Sequence, residues 1–312
     1  MGVLQNKHLI GLEHTPTEDI QKLIDTGFIF REVLDRPIKK VPSLNGKNVV
    51  NLFFENSTRT RISFELAEKR LSADITNFSA SSSSVNKGEG LKDTIQNIHA
   101  MKMDCIVMRH PVPGSCFHVS KFVDAVVINA GGGTHEHPTQ ALLDMMSLWE
   151  KFDKLKGLNI AIVGDILHSR VALSNIYGLQ KMGANITLCG PPHLIPIGIG
   201  ELGVSINSDI DEVIEWADAL NILRIQRERM GIGIIPSIRE YRDFFGITQE
   251  RLENHKKEIV IMHPGPMNRG VEIDSSVADG DQAIILDQVL NGVAIRMSIL
   301  YLLMGPDEGI EN

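Results

Sequence analysis

An α/β fold of two doubly wound parallel-sheet lobes joined by interdomain helices is what this sequence predicts, on three observations. Short β-rich runs recur along the chain, at Asn48-Val49-Val50-Asn51-Leu52-Phe53-Phe54, Cys105-Ile106-Val107-Met108, Ala125-Val126-Val127-Ile128, Asn159-Ile160-Ala161-Ile162-Val163, Ala219-Leu220-Asn221-Ile222-Leu223 and Ile259-Val260-Ile261-Met262. They lack polar alternation, as strands buried on both faces do. Stretches with helical spacing lie between them, such as Leu91, Ile95, Ile98 and Leu142, Met145, Leu148, Trp149, and alternating strand and helix builds open sheets with right-handed crossovers. Finally, 312 residues with 43% hydrophobic and 22% charged side chains suit two compact lobes better than one.

Taken in order, the first strand leads through Glu55-Asn56-Ser57-Thr58-Arg59-Thr60-Arg61 into a helical stretch from Ile62 to Leu71. The serine run 81–84, with Asn86, Gly88 and Gly90, reads as a loop able to close over a substrate. A Pro-started helix is expected from Pro138 to about Phe152, ending near Gly157 before a new strand. The lobes are accordingly residues 1–137 and 138–286. Apolar positions Val289, Leu290, Val293, Ile295, Ile299, Leu300 and Leu303 mark a last helix, within 287–312, packed on a core.

The 31 Lys and Arg against 39 Asp and Glu leave a formal charge of −8, which excludes a sequence-independent hold on nucleic acid or acidic lipid. Any anion site must be a local basic cluster. Cys105, Cys116 and Cys189 are not spaced as a zinc or CxxC motif and are expected as free thiols of a reducing compartment. The N-terminus lacks a secretory pattern and no run approaches the roughly 20 apolar residues of a membrane span, so a cytoplasmic chain with neither membrane nor nucleic-acid partner is expected.

Ligands of open α/β sheets bind beyond the carboxyl ends of the strands, so the residues following each apolar run matter most. These are Ser57-Thr58-Arg59-Thr60-Arg61, Arg109-His110, Gly131-Gly132-Gly133 leading to His137-Pro138-Thr139-Gln140, His168-Ser169-Arg170, Arg224-Ile225-Gln226-Arg227 and His263-Pro264-Gly265-Pro266. Hydroxyls alternating with arginines at a helix start can converge on a phosphate, whereas the ordinary alternative is an N-cap beside surface charges. Neither GxxxxGK[ST] nor a strand followed by GxGxxG is present, which removes the main support for a nucleoside triphosphate or dinucleotide ligand. His137 at a helix entrance has an equally ordinary capping reading, offset by the adjacent glycines that permit close backbone approach. Arg109, Arg170 and Arg224 each stand at a strand end or βα loop, where one would be an ordinary solvated charge and three together fit carboxylate or phosphate clamps.

Phe54 through Glu65 resembles the carbamoyl phosphate signature of the aspartate/ornithine carbamoyltransferase family, and His137-Pro138-Thr139-Gln140 resembles its second signature. The resemblance runs from His14-Thr15-Pro16 to the last helix. Leu223-Arg224-Ile225-Gln226 and His263-Pro264-Gly265-Pro266 resemble the aspartate branch; the SMG loop and HCLP cysteine of ornithine enzymes are missing from the sequence. The resemblance implies a first lobe for carbamoyl phosphate, a second for L-aspartate, a last helix returning to the first lobe, and a homotrimer with sites at subunit contacts. It places carbamoyl phosphate on Ser57, Thr58, Arg59, Thr60, Arg109, His137, Gln140 and the backbone of Gly265 and Pro266, with Arg59, Thr60, Arg109 and His137 catalytic. It places aspartate on Lys87, Arg170, Arg224 and Gln226, with Ser83 and Lys87 arriving from the neighbouring subunit. No metal or cofactor is expected, and a regulatory chain or other enzymes of the pathway remain open as partners. Gly132 stands where the family pattern has Asp, and Gly265 where it has Leu or Ala. The rival readings are an ornithine or acylated ornithine as acceptor, a non-catalytic scaffold of the same fold, and a generic phosphosugar or nucleotide enzyme.

Overall fold

The computed structural model describes residues 4–79, 89–226, 237–255 and 258–305. The chain divides into two compact units, residues 1–146 with 290–312 and residues 147–289. The serine run and Lys87 lie outside the described residues, and so do Arg227 and the end of the chain.

The first unit carries a parallel sheet in the order β2-β1-β3-β4, from β1 (Asn48–Phe53), β2 (Asp74–Ser79), β3 (Cys105–His110) and β4 (Val126–Gly132). Between them run α2 (Thr58–Arg70), α3 (Leu91–Ala100) and α4 (Ser115–Ser120), while α1 (Thr17–Asp35) precedes the sheet and α5 (Pro138–Phe152) follows it. Val50, Leu52, Ile106, Met108 and Val127 from the strands pack with Ile95, Cys116 and Val119 from the helices into one core. Helix α2 takes its orientation from Thr60, Phe64, Ala67 and Leu71, all buried and spaced along one helical face. Phe64 is fully buried, so truncation to Ala would cost about 3–5 kcal/mol.

The second unit repeats the plan with a parallel sheet in the order β7-β6-β5-β8-β9, from β5 (Asn159–Val163), β6 (Asn185–Cys189), β7 (Ser205–Ile206), β8 (Ala219–Ile222) and β9 (Val260–Met262). Its helices are α6 (Arg170–Lys181), α7 (Ile210–Trp216), α8 (Ile238–Phe245), α9 (Gln249–Asn254) and α10 (Ser275–Ala278). Ala161, Val163, Leu220, Ile222, Ile259 and Ile261 meet Ile210, Val213 and Ile214 of α7 in its core.

Both sheets are doubly wound, and that decides where ligands can sit. In the first, the chain goes from β1 outward to β2 and then crosses to β3 on the other side of β1; in the second it goes from β5 outward through β6 and β7 and then crosses to β8. A crevice opens at each reversal, beyond the carboxyl ends of β1 and β3 and of β5 and β8.

Some expectations are refined. Arg109 and His110 close β3, at the strand end expected of Arg109, and β4 runs on through Gly131 and Gly132. The sequence reading passed over β2, an edge strand whose Asp74, Thr76 and Asn77 are exposed, and β6. The expectation that no segment approaches a membrane span also needs correcting. Helix α11 (Ile285–Met304) is long and apolar enough by length and composition, with a mean hydropathy of 1.3, but two-thirds of that window is buried (67%). Ser298 Oγ donates to the Leu23 carbonyl at 2.7 Å and the Ile295 side chain lies against Gly27, the contacts of a core helix. All three cysteines are buried free thiols, and burial pushes Cys116 and Cys189 up to about 12 and Cys105 well above its ordinary value, so none is a nucleophile at neutral pH.

Candidate active site

Helix α2 begins at the first reversal point. Its N-cap, Ser57, has extended backbone, and its hydroxyl makes no bond to the amides of its own helix. A helix start leaves its first N–H groups without intrahelical partners, so the Ser57 hydroxyl, those amides and the exposed Arg59 lie together at an open mouth of the kind that suits an anion. Arg61, the second arginine of the run, turns along the helix instead, its Nε 3.4 Å from Glu65 Oε1.

Arg109 enters from the adjacent strand, β3. Its Nε lies 3.4 Å from Glu55 Oε2, and its Nη1 donates to the Ala130 carbonyl at 3.3 Å. Glu55, the first residue of the polar run after β1, thereby fixes the direction of the guanidinium. His137 precedes α5 and is buried, with Nδ1 3.4 Å from the Thr139 hydroxyl. Gln140 Nε2 donates to Asp144 Oδ1 at 2.9 Å one turn on, which leaves the Gln140 amide oxygen directed by that bond. Behind these residues stands Arg296 of α11, fully buried. It donates to the Ser63 hydroxyl at 3.0 Å and the Thr139 hydroxyl at 3.4 Å, with the Phe64 ring 5.1 Å away. Burial lowers the Arg296 guanidinium to about 10, partly offset by Asp144, so it remains a cation at neutral pH. Neither Asp144 nor Arg296 was expected: one is an ordinary helix pair by spacing, the other a charge within an apolar helical run.

The glycines separate into two kinds. A Cβ on Gly133, at φ +53°, would stand 2.5 Å from the Pro113 ring, so that position demands glycine. At Gly132 the nearest atoms would be Asn129 side-chain atoms at 3.5 Å, an ordinary contact, so a side chain there would be accommodated.

The second unit shows a different device. Asp165, directly after β5 and fully buried, pairs with His168 Nδ1 at 2.8 Å, and its other oxygen accepts the Gln226 N–H at 3.2 Å. Gln226 Nε2 in turn donates to the His168 carbonyl at 2.9 Å. The loops after β5 and β8 are thus tied to each other around Arg170, buried at the start of α6, and the half-buried Arg224. Gly265, in the loop after β9, has φ +63°, a conformation glycine adopts without strain and Leu or Ala does not. Within each unit, then, the residues singled out in the described sequence gather at the carboxyl ends of the strands. Among the described residues no group of three or more His, Cys, Asp or Glu could hold a metal.

Comparison with known proteins also divides the chain in two, with the last helix inside the second match rather than the first. The family profile for the aspartate/ornithine carbamoyltransferase carbamoyl-P binding domain matches residues 7–150, and that for the Asp/Orn binding domain matches residues 156–303. The aspartate carbamoyltransferase catalytic subunit of Gemmatimonas aurantiaca is 58% identical over 96% of this chain and 94% of its own, and that of Christiangramia forsetii is 59% identical over 95% and 96%. The chain belongs to the aspartate/ornithine carbamoyltransferase family.

Within that family, solved structures divide fold from acceptor. Aspartate transcarbamoylase from Trypanosoma cruzi, in complex with N-(phosphonacetyl)-L-aspartic acid, matches with a TM-score of 0.86 at 31% identity, covering 96% of both chains. Ornithine carbamoyltransferase from Pyrococcus furiosus also matches with a TM-score of 0.86, at 26% identity and 100% of both chains. The backbone is therefore common to both branches, and the close sequence relatives are on the aspartate side.

Proposed function

We propose that this chain transfers the carbamoyl group of carbamoyl phosphate to the α-amino group of L-aspartate, giving N-carbamoyl-L-aspartate and phosphate in de novo pyrimidine biosynthesis. The observation that carries the reading is the pairing, in a chain of net charge −8, of a hydroxyl-and-arginine mouth at one sheet's reversal point with Arg170, Arg224 and Gln226 around the other's. Two anionic substrates repel each other unless cations hold both, and alignment then supplies about 7 kcal/mol or more of the barrier. A cationic ornithine side chain would gain nothing from Arg224.

In this reading Ser57, Thr58, Arg59 and the α2 amides bind the phosphoryl group, and Arg59 stabilises it as it leaves. Thr60, Arg109 and His137 donate to the carbonyl oxygen as the aspartate nitrogen attacks the carbamoyl carbon and negative charge develops. Preorganised donors of this kind are worth about 3 kcal/mol each. Gln140 and the backbone of Gly265 and Pro266 complete the carbamoyl phosphate contacts, while Arg170, Arg224, Gln226 and Lys87 bind the aspartate carboxylates. The tetrahedral intermediate collapses by breaking the bond from carbon to the phosphate oxygen, and the departing phosphate takes the amine proton. Carbamoyl phosphate is already activated, so this chemistry calls for neither metal nor covalent nucleophile.

The same reading assigns carbamoyl phosphate to residues 1–137 with the last helix and aspartate to 138–286, in a cytoplasmic homotrimer whose neighbouring chain lends Ser83 and Lys87. Mixing Lys87→Ala with Arg59→Ala chains should restore part of the activity that each lacks alone; no recovery in verified mixed oligomers would defeat the shared site. The central test offers labelled carbamoyl phosphate with aspartate, ornithine and N-acetylornithine in parallel. Carbamoyl aspartate is expected from the intact chain and not from an Arg224→Ala control; product with an ornithine would overturn the acceptor, and no product at all would favour a scaffold.

A further inference from the structure

We infer that Glu272, acting through His263, is a positioning residue that sets the backbone of residues 263–268 for carbamoyl phosphate. The inference rests on the reading that Gly265 and Pro266 meet that substrate. The His263 imidazole and the Glu272 carboxylate are both buried, side by side, with His263 Nε2 3.4 Å from Glu272 Oε1, an electrostatic contact rather than a hydrogen bond. The Gly265 N–H donates to His263 Nδ1 at 2.8 Å. A ring nitrogen that accepts carries no proton, so the neutral ring holds its proton on Nε2, towards the carboxylate. The same Glu272 oxygen accepts the Asn268 N–H at 2.5 Å. One carboxylate therefore constrains both ends of the loop, and the imidazole passes that constraint to Gly265 in its middle.

The remaining contacts extend the clamp. The His263 N–H donates to Gln288 Oε1 at 3.0 Å, fixing the loop where it leaves β9. Asn268 Nδ2 donates to the Ile225 carbonyl at 3.2 Å, between Arg224 and Gln226, so the loop is registered against the segment that carries the aspartate residues. Glu272 Oε2 is buried with no hydrogen-bond partner, and the Tyr241 hydroxyl, whose ionisation burial and Glu272 both oppose, is likewise buried without one. Burying a carboxylate costs several kcal/mol, and apolar residues of similar volume would pack at least as stably. A buried polar cluster of His263, Glu272 and Tyr241 therefore gives the loop shape rather than stability. Gly265 at φ +63° turns the chain between Pro264 and Pro266, and its bond to His263 holds that turn in one conformation. Without the carboxylate the ring can move its proton to Nδ1, which sets one N–H against another and breaks that bond.

The test varies carbamoyl phosphate at saturating aspartate, and then the converse, for the full chain and for Glu272→Gln, Glu272→Ala and Glu272→Ala with His263→Asn, each with its melting temperature. Glu272→Ala is expected to raise the KM for carbamoyl phosphate by about tenfold or more while the KM for aspartate moves less than about twofold. Glu272→Gln keeps the volume and an acceptor for Asn268 and should fall between; it carries the test alone if the alanine chain does not fold. Adding His263→Asn, whose amide oxygen accepts from Gly265 with no tautomer to choose, should recover part of the loss. An unchanged KM for carbamoyl phosphate, or both KM values rising together with a lowered melting temperature and no recovery, would overturn the positioning role. An unaltered chain that makes no carbamoyl aspartate would instead overturn the reading beneath it.

Discussion

Helices α2 and α6 each start at the reversal point of a doubly wound sheet, each has serine at the N-cap, and the two serines are used in opposite ways. Ser169 accepts the N–H groups of Val171 at 3.2 Å and Ala172 at 3.3 Å, so α6 is closed by its own side chain. Ser57 makes no such bond, and α2 stays open. What α2 lacks at its mouth it gains elsewhere: Asn51 of β1 donates to the buried Glu68 at 2.8 Å, and Arg296 reaches Ser63. A helix held from its body can leave its first turn for a ligand. In the second unit the anchoring is local, and Arg170 and Arg224 lie around it.

The comparison is broken most directly by removing the cation at the open end. Arg59→Ala should lower kcat/KM for carbamoyl phosphate by about a thousandfold or more, since the proposed reaction has it meet both the bound phosphoryl group and the departing phosphate. The side chain is exposed, so thermal unfolding should be little changed. A loss of activity accompanied by an equal loss of stability would mean that α2 is not held from its body. Arg224→Ala should show the complementary pattern, with the KM for aspartate rising about a hundredfold and that for carbamoyl phosphate nearly fixed. Steady-state kinetics on the two variants decide whether the division of labour is real; equal effects on both substrates would end it.

A smaller effect sharpens the account of how α2 is moored. Glu68 is raised to about 8, chiefly because burial disfavours its charge, with the Asn51 bond opposing. Between the unfolded value near 4.5 and about 8 the folded chain holds a proton that the unfolded chain releases. Stability should therefore fall as pH rises through that window, by at most about 1.4 kcal/mol per pH unit from this group. Glu68→Gln keeps the bond from Asn51 and cannot ionise, so denaturant titrations from pH 5 to 8 should show a flatter dependence than the parent. An unchanged slope would place the proton elsewhere.

How much of this was legible in the sequence follows from the distance over which each interaction acts. Strands β1, β3, β4, β5, β8 and β9 announce themselves because sheets buried on both faces need unbroken apolar runs. Strand β2 lies at an edge, where exposed Asp74, Thr76 and Asn77 dilute the pattern. Ser57, Thr58, Arg59 and Thr60 were readable as a candidate site because hydroxyls and arginine crowd one helix start. The partners that hold the other candidate residues were not. Glu55 meets Arg109 across neighbouring strands, Arg296 lies more than 150 residues beyond Thr139 in sequence, and Glu272 looks like any surface acid until its burial is seen. Sequence reading finds groups whose chemistry is local and misses partners that only folding brings together.

The smallest effect separates the two serines themselves. Ser169→Ala removes a cap that satisfies two amides, and caps of this kind are worth about 1 kcal/mol, so the chain should lose roughly that much stability by denaturant titration. Ser57→Ala removes a hydroxyl that caps nothing, and its cost to stability should be no more than a few tenths of a kcal/mol, about the size of an ordinary surface change. The kinetic consequences should reverse: Ser57→Ala should raise the KM for carbamoyl phosphate several-fold, whereas Ser169→Ala should leave it alone. Were Ser57→Ala to destabilise as much as Ser169→Ala, its hydroxyl would be capping α2 in solution, and the mouth would have to open before it could bind. Were neither to affect carbamoyl phosphate, the amides and Arg59 would hold the phosphoryl group without the serine. Either result would redraw the contrast at a single hydroxyl, with the rest of both helices unchanged.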